Sequence, residues 1–399
     1  MLSLYTVFLS KTIIKHQLHL MNSPIKQYPF YLKSTIIIFG LTLICYALFT
    51  LKGVLAPLAF SLIIAILLNP LVNKLQRKGV SKILAIFLAL LLALIVVGGI
   101  LFFITTQVIN FGDNLPELKL KFNAHLAQLQ FWVAANFKFS IQKQQENLTQ
   151  IFNNSRALLA GALGTALGTV VLIFLLPVYV FLLLFYKTLI LNFFYEVFAE
   201  KNTQKVAEIL TETKSAIQSY MVGLLLEALV VAVMNAIALF LLGVDYAILL
   251  GVIGAFLNML PYIGGIIAIA LPVIIASITK DGFSTQLAII GAYMLIQFID
   301  NHFLVPFLVA SRVKINALFS VLIVLLGGSL WGVAGMFLSI PFLAILKIIF
   351  DRLPEMKPWG KILGDELPTR HKGEIWLKKQ LRLEALAEEK AEQKKKLDL

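Results

Sequence analysis

Gln297-Phe298-Ile299-Asp300-Asn301-His302 stands inside an apolar run covering 286–310, and Pro306, Gly327, Gly328, Gly332, Gly335 and Pro341 follow in sequence that is otherwise hydrophobic. A carboxylate at the bilayer centre costs about 2.5–3.5 kcal/mol on insertion scales, so it is retained where it lines a polar path or grips another part of the protein. Read as a helix, Gln297 lies three residues before Asp300 and four before Asn301, which sets the three on one polar flank. This stretch makes the chain a membrane protein and points toward transport.

The composition agrees. Hydrophobic residues make up 59% of the 399 and charged residues 14%, with a mean hydropathy of +0.89. So little polar surface cannot coat a soluble globule. The formal net charge of +13 comes in short basic clusters between apolar runs, such as Lys74, Arg77, Lys78 and Lys82. The positive-inside effect accounts for these clusters better than nucleic acid does. Cys45 is the only cysteine, which excludes an intrachain disulfide. Lys11, Lys15 and Lys26 follow the apolar 2–9 instead of preceding it, so no signal peptide is read there, and Met21 is the expected start.

Apolar runs of about spanning length, 17–25 residues or longer if tilted, occur at 35–51, 54–72, 83–104, 168–186, 220–242, 246–278, 286–310 and 317–350. The expected fold is therefore all-α, a polytopic membrane protein with about eight transmembrane helices, one or more broken or re-entrant, plus amphipathic helices outside the membrane. Its organisation follows: a cytoplasmic N-terminal segment (1–33), transmembrane helices 1–3 (34–104), an extracytoplasmic amphipathic segment (105–160), helix 4 (161–186), a cytoplasmic amphipathic helix (187–219), helices 5–8 (220–350) and a charged cytoplasmic tail (351–399). An even count puts both termini in the cytoplasm, in accord with the basic residues at both ends. Arg312 and Lys314 dissent, since the same count places them outside; a re-entrant hairpin over 286–310 would reconcile them.

Four further features carry chemistry or shape. Asn258-Met259-Leu260-Pro261-Tyr262-Ile263-Gly264-Gly265 interrupts the sixth run, and a proline with two glycines should break the helix there, with Pro306 a further bend. A broken helix exposes carbonyls and amides that hold an ion or polar solute at membrane depth, or are satisfied by neighbouring helices. Glu227, with Asn235 two turns along, lies within the fifth run and either pairs with Asp300 or snorkels to the interface. Gly164, Gly168, Gly328, Gly332 and Gly335 read as small-residue faces for helix packing. His302 points away from Asp300 and reads as structurally satisfied. The chain has no phosphate-loop, zinc-helix or nucleophile-elbow signature, so neither an enzyme nor an ATP-driven pump is expected. Cofactors and metals are likewise not expected.

Pro261-Tyr262-Ile263-Gly264, then Gln297 to Asn301 and Pro306, then Gly327-Gly328-Ser329-Leu330-Trp331-Gly332-Val333-Ala334-Gly335-Met336 and Pro341 stand in an order and spacing that resemble the AI-2E (PerM-type) family of bacterial inner-membrane transporters. The resemblance covers roughly 33–353. It implies a multi-pass, oligomeric permease of a family whose named members export a small hydrophilic signal and some of which are linked to sodium–proton exchange. Members commonly carry proline where this chain has Gly265 and Ala317. The reading is a secondary transporter of a small polar solute or signal, with Asp300, Asn301, Gln297, Glu227 and Asn258 in the pathway. The alternatives are a sodium/proton antiporter and, from another class, a non-transporting scaffold or regulator. Expected partners are the lipid bilayer, a small polar solute or cation and further copies of the chain, with no nucleic acid.

Overall fold

A computed structural model describes residues 29–113, 115–137, 140–146, 149–150, 166–198, 203–260, 264–280, 282–309, 314–365 and 380–384. The described residues contain no strand, which follows from the solvent: in hydrocarbon each backbone N–H and C=O must find its partner within the chain, and a helix does this locally. The chain divides into two compact units, 1–55 and 56–399. In the first, α1 (Phe30–Thr50) is apolar along its whole length and buries no residue.

The second unit takes in most of α2 (Lys52–Arg77), followed by α3 (Lys82–Asp113), α4 (Leu115–Phe137), α5 (Ala166–Phe185), α6 (Lys187–Phe198) and α7 (Thr203–Leu241). Then come α8 (Ala247–Asn258), α9 (Gly264–Thr279), α10 (Ser284–Ile299) with a π-helical continuation (Asp300–Val309), α11 (Ala317–Arg352) and α12 (Lys357–Leu363). Among the described residues six helices are long and apolar enough to cross a membrane, α11 included, or seven if the bent α5–α6 pair counts as one broken span. Many large hydrophobic side chains on these helices are exposed, as expected of a surface dissolved in lipid.

Two of the apolar runs are hairpins. The sixth folds back on itself: α8 and α9, of 12 and 16 residues, pack against each other and against α7. A helix of 12 residues rises only about 18 Å, so α8 stops partway through a bilayer. At the fold, a Cβ on Gly264 would collide with the Leu257 carbonyl oxygen, and the absence of that atom lets the arms touch. The eighth run, expected as one crossing, is also bent. Trp331 and Gly332 leave helical geometry inside α11, with Gly332 at φ 62° and ψ −141°. The two arms, 317–330 and 333–352, pack backbone to backbone where Gly327 meets Gly335. The Ser339 hydroxyl then donates across the seam to the Ile323 carbonyl at 2.9 Å. The run 286–310, for which the sequence left open a crossing or a re-entrant hairpin, is helical from Ser284 to Val309, long enough to cross.

This arrangement accounts for the dissenting basic residues. Gly243 and Lys280 lie together at one end of the bundle, so α10 runs from that end toward the other, where the Asn316 backbone N–H donates to the Leu363 carbonyl at 3.0 Å. There too Arg352 pairs with Glu208 and Glu212 of α7. Lys314 therefore joins Arg352, Lys214 and Lys82 at one end, and a hairpin entering and leaving from that end replaces the crossing that displaced it in the count. Arg312 lies outside the described residues.

The same end is pinned by two lysines. The Lys82 ammonium donates to the Phe185 carbonyl at 2.6 Å and sits 5.1 Å over the Phe185 ring, tying α3 to the last turn of α5. The Lys187 ammonium donates to Oδ1 of the buried Asn69 at 2.9 Å. Burial, then the nearby charges of Lys214 and Lys82, lower the Lys187 pKa below the ordinary lysine value. Apolar clusters join α2, α3 and α5 around Ile86 and Val180, and α2, α7 and α11 around Ile63, Ile217 and Leu338. The segment expected as a single amphipathic helix over 187–219 is two elements: α6, bent 60° from α5, and the first turns of α7, which continues unbroken to Leu241.

Candidate polar centre at the hairpin tip

Asp300 occupies the junction where α10 widens from α-helical to π-helical turns. Widened turns leave backbone carbonyls without their usual partners and are frequent at functional positions. Its carboxyl is 2% exposed. Oδ2 accepts from Asn258 Nδ2 at 2.8 Å and from Gln297 Nε2 at 3.4 Å. Asn258 is the last residue of α8, so the broken helix ends on the acid it serves. Glu227, on α7 and 6% exposed, lies close enough to Asp300 for the two carboxyls to interact electrostatically. Asp300 Oδ1 accepts from no donor group.

Two ionised acids buried near one another repel, and more strongly as the effective dielectric constant falls below that of water. A proton or a cation between them removes the repulsion, and a proton turns it into a hydrogen bond. The carboxamides of Asn258 and Gln297 fix Asp300 from the other side. The centre is thus a pair of acids in a frame of amides, held where α7, α10 with its π-helical continuation and the α8–α9 hairpin tip meet.

Close packing builds this frame. A Cβ on Gly223 would strike the Leu308 carbonyl oxygen, so α7 and the π-helical segment approach backbone to backbone just beside Glu227. A Cβ on Gly265 would lie 3.1 Å from Gln297 Oε1 and 3.6 Å from Asn258 Oδ1. Glycine at that position gives the two amides their room.

Of the residues read from the sequence as a pathway, Asp300, Asn258, Gln297 and Glu227 come together. Asn301 is exposed and is not among the groups that meet at the centre. His302 is exposed, stacks on Phe298 at 4.3 Å and bonds through Nδ1 to the Phe298 carbonyl at 2.9 Å. Pro261, Tyr262 and Gly164 lie outside the described residues. Pro306 stands within the π-helical segment and does not end it. Gly335 serves packing, as does Gly328 against Met336, but Gly332 does not: nothing lies near its missing Cβ, and it is the turn residue of the hairpin.

The sequence reading passed over a second polar layer. Asn235 on α7 and Tyr293 on α10 are 2% and 4% exposed. Both border Gly254 of α8, where a Cβ would stand 3.2 Å from Asn235 Nδ2 and 3.6 Å from the Tyr293 hydroxyl. The signal was the seven-residue spacing of Gln286, Tyr293 and Asp300, which places all three on one helical face.

Comparison with known proteins agrees with this architecture. A sequence profile of the family described as AI-2E family transporter matches residues 35–355. YueF of Bacillus subtilis (strain 168), a transport protein by name, is 26% identical over 62% of this chain and 69% of its own. PerM of Escherichia coli (strain K12), a permease by name, is 29% identical over 50% of this chain and 56% of its own. The AI-2 transport protein TqsA of Escherichia coli (strain K12) is 29% identical over 31% of this chain and 36% of its own.

Proposed function

The chain belongs to the AI-2E transporter family, and from that premise we propose that it is a secondary transporter of the inner membrane, moving a small polar solute past the Glu227–Asp300 pair. The observation that carries the reading is the pair itself: two buried acids in an amide frame, at the end of a helix that stops partway through the membrane. Ionisable groups kept at that depth serve pathways far more often than they serve packing. Solute binding at the hairpin tip would use the Asn258 and Gln297 amides for hydroxyl or carbonyl groups and the acids for donors. The end carrying Lys82, Lys214, Lys314 and Arg352 is cytoplasmic in this reading, by the positive-inside rule.

The acid pair also favours a second reading, a sodium/proton antiporter, in which one cation and one proton exchange between the same two carboxyls. A carrier of either kind works by moving its cargo and leaves it chemically unchanged.

The test is flux in proteoliposomes, with AI-2 as the first organic solute because a relative is named for it, and sodium as the inorganic one. Asp300→Asn keeps the shape and removes the charge, and is expected to lower flux at least tenfold while the protein elutes unchanged from a sizing column. Flux equal to wild type removes the pair from the pathway. Sodium flux without any organic solute selects the antiporter, and no flux of any kind supports a scaffold instead.

A further inference from the structure

Five buried side-chain atoms among the described residues have no hydrogen-bond partner: Thr213 Oγ1, Asn235 Oδ1, Gln286 Oε1, the Tyr293 hydroxyl and Asp300 Oδ1. Burying such an atom unpaired is unfavourable, so a scatter of them through the fold would be costly and without pattern. They are not scattered. Thr213 and Asn235 lie on α7, and Gln286, Tyr293 and Asp300 lie on α10 and its continuation, the two elements that carry the acid pair.

Their order along the helices is regular. On α10 the positions are 286, 293 and 300; on α7 Thr213 precedes Tyr220 and Glu227 at the same interval of seven, and Asn235 follows at eight. Such intervals keep side chains on one face while advancing about 10–12 Å per step. From Thr213 to Asn235 the rise is about 33 Å, close to the thickness of the hydrocarbon core. Tyr220 stands in electrostatic reach of Glu227, and Asn235 and Tyr293 meet at Gly254, where a Cβ would stand 3.2 Å from Asn235 Nδ2 and 3.6 Å from the Tyr293 hydroxyl.

We propose that these groups form a proton path through the protein, in which Asn235, Tyr293 and Gln286 are an uncharged water-binding relay joining the Glu227–Asp300 pair to the end of the bundle that holds Gly243 and Lys280. The inference rests on the transporter reading and adds what that reading leaves open, the route by which the acids exchange protons. The ligand class is water: each orphaned oxygen can accept from it, and the Tyr293 hydroxyl can also donate. A hop places a proton on one side of that hydroxyl's oxygen and releases one from the other, so the tyrosine ends as it began and no oxidant or reductant is needed. Gly254 serves the relay by letting Asn235 and Tyr293 come close to the α8 backbone.

The experiment uses full-length protein in proteoliposomes loaded with a pH-sensitive dye, with a potassium diffusion potential set by valinomycin to drive protons. Wild type is expected to acidify the lumen. Tyr293→Phe, which removes one oxygen and little volume, should slow the rate at least tenfold, as should Asn235→Leu. Ser61→Ala removes a buried hydroxyl that already bonds to the Pro57 carbonyl and should leave the rate unchanged. A second measurement guards against misfolding: on a Cys45→Ser background, Asn235→Cys and Tyr293→Cys should react with a small water-borne thiol reagent, whereas Leu239→Cys, on the same helix as Asn235 and fully buried, should not. Proton flux in Tyr293→Phe equal to wild type overturns the relay, as does an unreactive thiol at both positions. A protein that carries solute with no proton flux also overturns it and leaves the permease standing; a wild-type protein that carries no solute overturns the permease reading separately, and an Asp300→Asn variant with undiminished solute flux removes the acid pair from the pathway.

Discussion

Asp300 is the residue on which the polar centre closes, and its surroundings explain why the sequence disclosed it in part. An acid in the middle of an apolar run cannot be hidden by composition, so its depth was legible at once, whereas Glu227, nearer the end of its run, was left between pairing with Asp300 and reaching the interface. What the sequence withheld was register. Helical spacing put Asn301 on the flank of Gln297 and Asp300, yet Asn301 is exposed while Asp300 is buried. Asn258 entered the site for a reason the sequence did contain, since it ends the broken helix. It should also matter for stability. Asn258→Ala removes the shorter of the two bonds to Oδ2, and leaving a buried acid short of a donor is expected to cost about 1–3 kcal/mol. Thermal unfolding in detergent should show a lower Tm, and Asn258→Asp, which replaces the donor with a third acid, a larger drop.

At the level of elements, the decisive devices are the two hairpins. Pro261 to Gly265 announced the first. The second was hidden in a run of thirty-four apolar residues whose glycines read as a packing stripe, because the same small residue serves a turn and a close contact. Only Gly332 has the backbone that separates the two uses: positive φ and open space where a side chain would stand. Gly332→Ala therefore meets no clash and only backbone strain, expected to cost about 1–3 kcal/mol. Gly335→Ala meets the Gly327 carbonyl oxygen instead. Both should lower Tm, but a compensating Gly→D-Ala replacement at 332, made by peptide ligation of the C-terminal segment, should restore stability only there. Ala317, where the family commonly has proline, is the first residue of α11 after an extended Asn316 cap (ψ 153°). Proline is at home in that position, so this chain's departure leaves the bend unaltered.

For the whole molecule, the charged end does more than mark orientation. Arg352 binds α7 through Glu208 and Glu212, and α12 binds the cap of α11 through the Asn316 side chain, which donates to the Ile362 carbonyl at 2.6 Å. The tail inferred from composition to begin at 351 is therefore folded for its first residues. Ending the chain after Asp365 should preserve flux and Tm, whereas ending it after Phe350 should lower both yield and Tm, measured on purified protein. The overall layout, an all-helical membrane protein with broken segments, was readable from apolar run lengths. The number of true crossings was not, because length and hydropathy are identical for one long helix and for two short antiparallel arms.

The short arms of α8 and α9 bear on how the protein is made. A helix that ends halfway through hydrocarbon cannot rest there alone, because the carbonyls at its tip have no water to bind. During synthesis α7 emerges first and offers a surface, but α10, which supplies Gln297 and Asp300 to Asn258, leaves the ribosome only after the hairpin, some seconds later at about 5–20 residues per second. For that interval the hairpin tip is an unfinished joint, and insertion machinery or a lipid-borne water pocket must shelter it until the acid arrives to complete the seal.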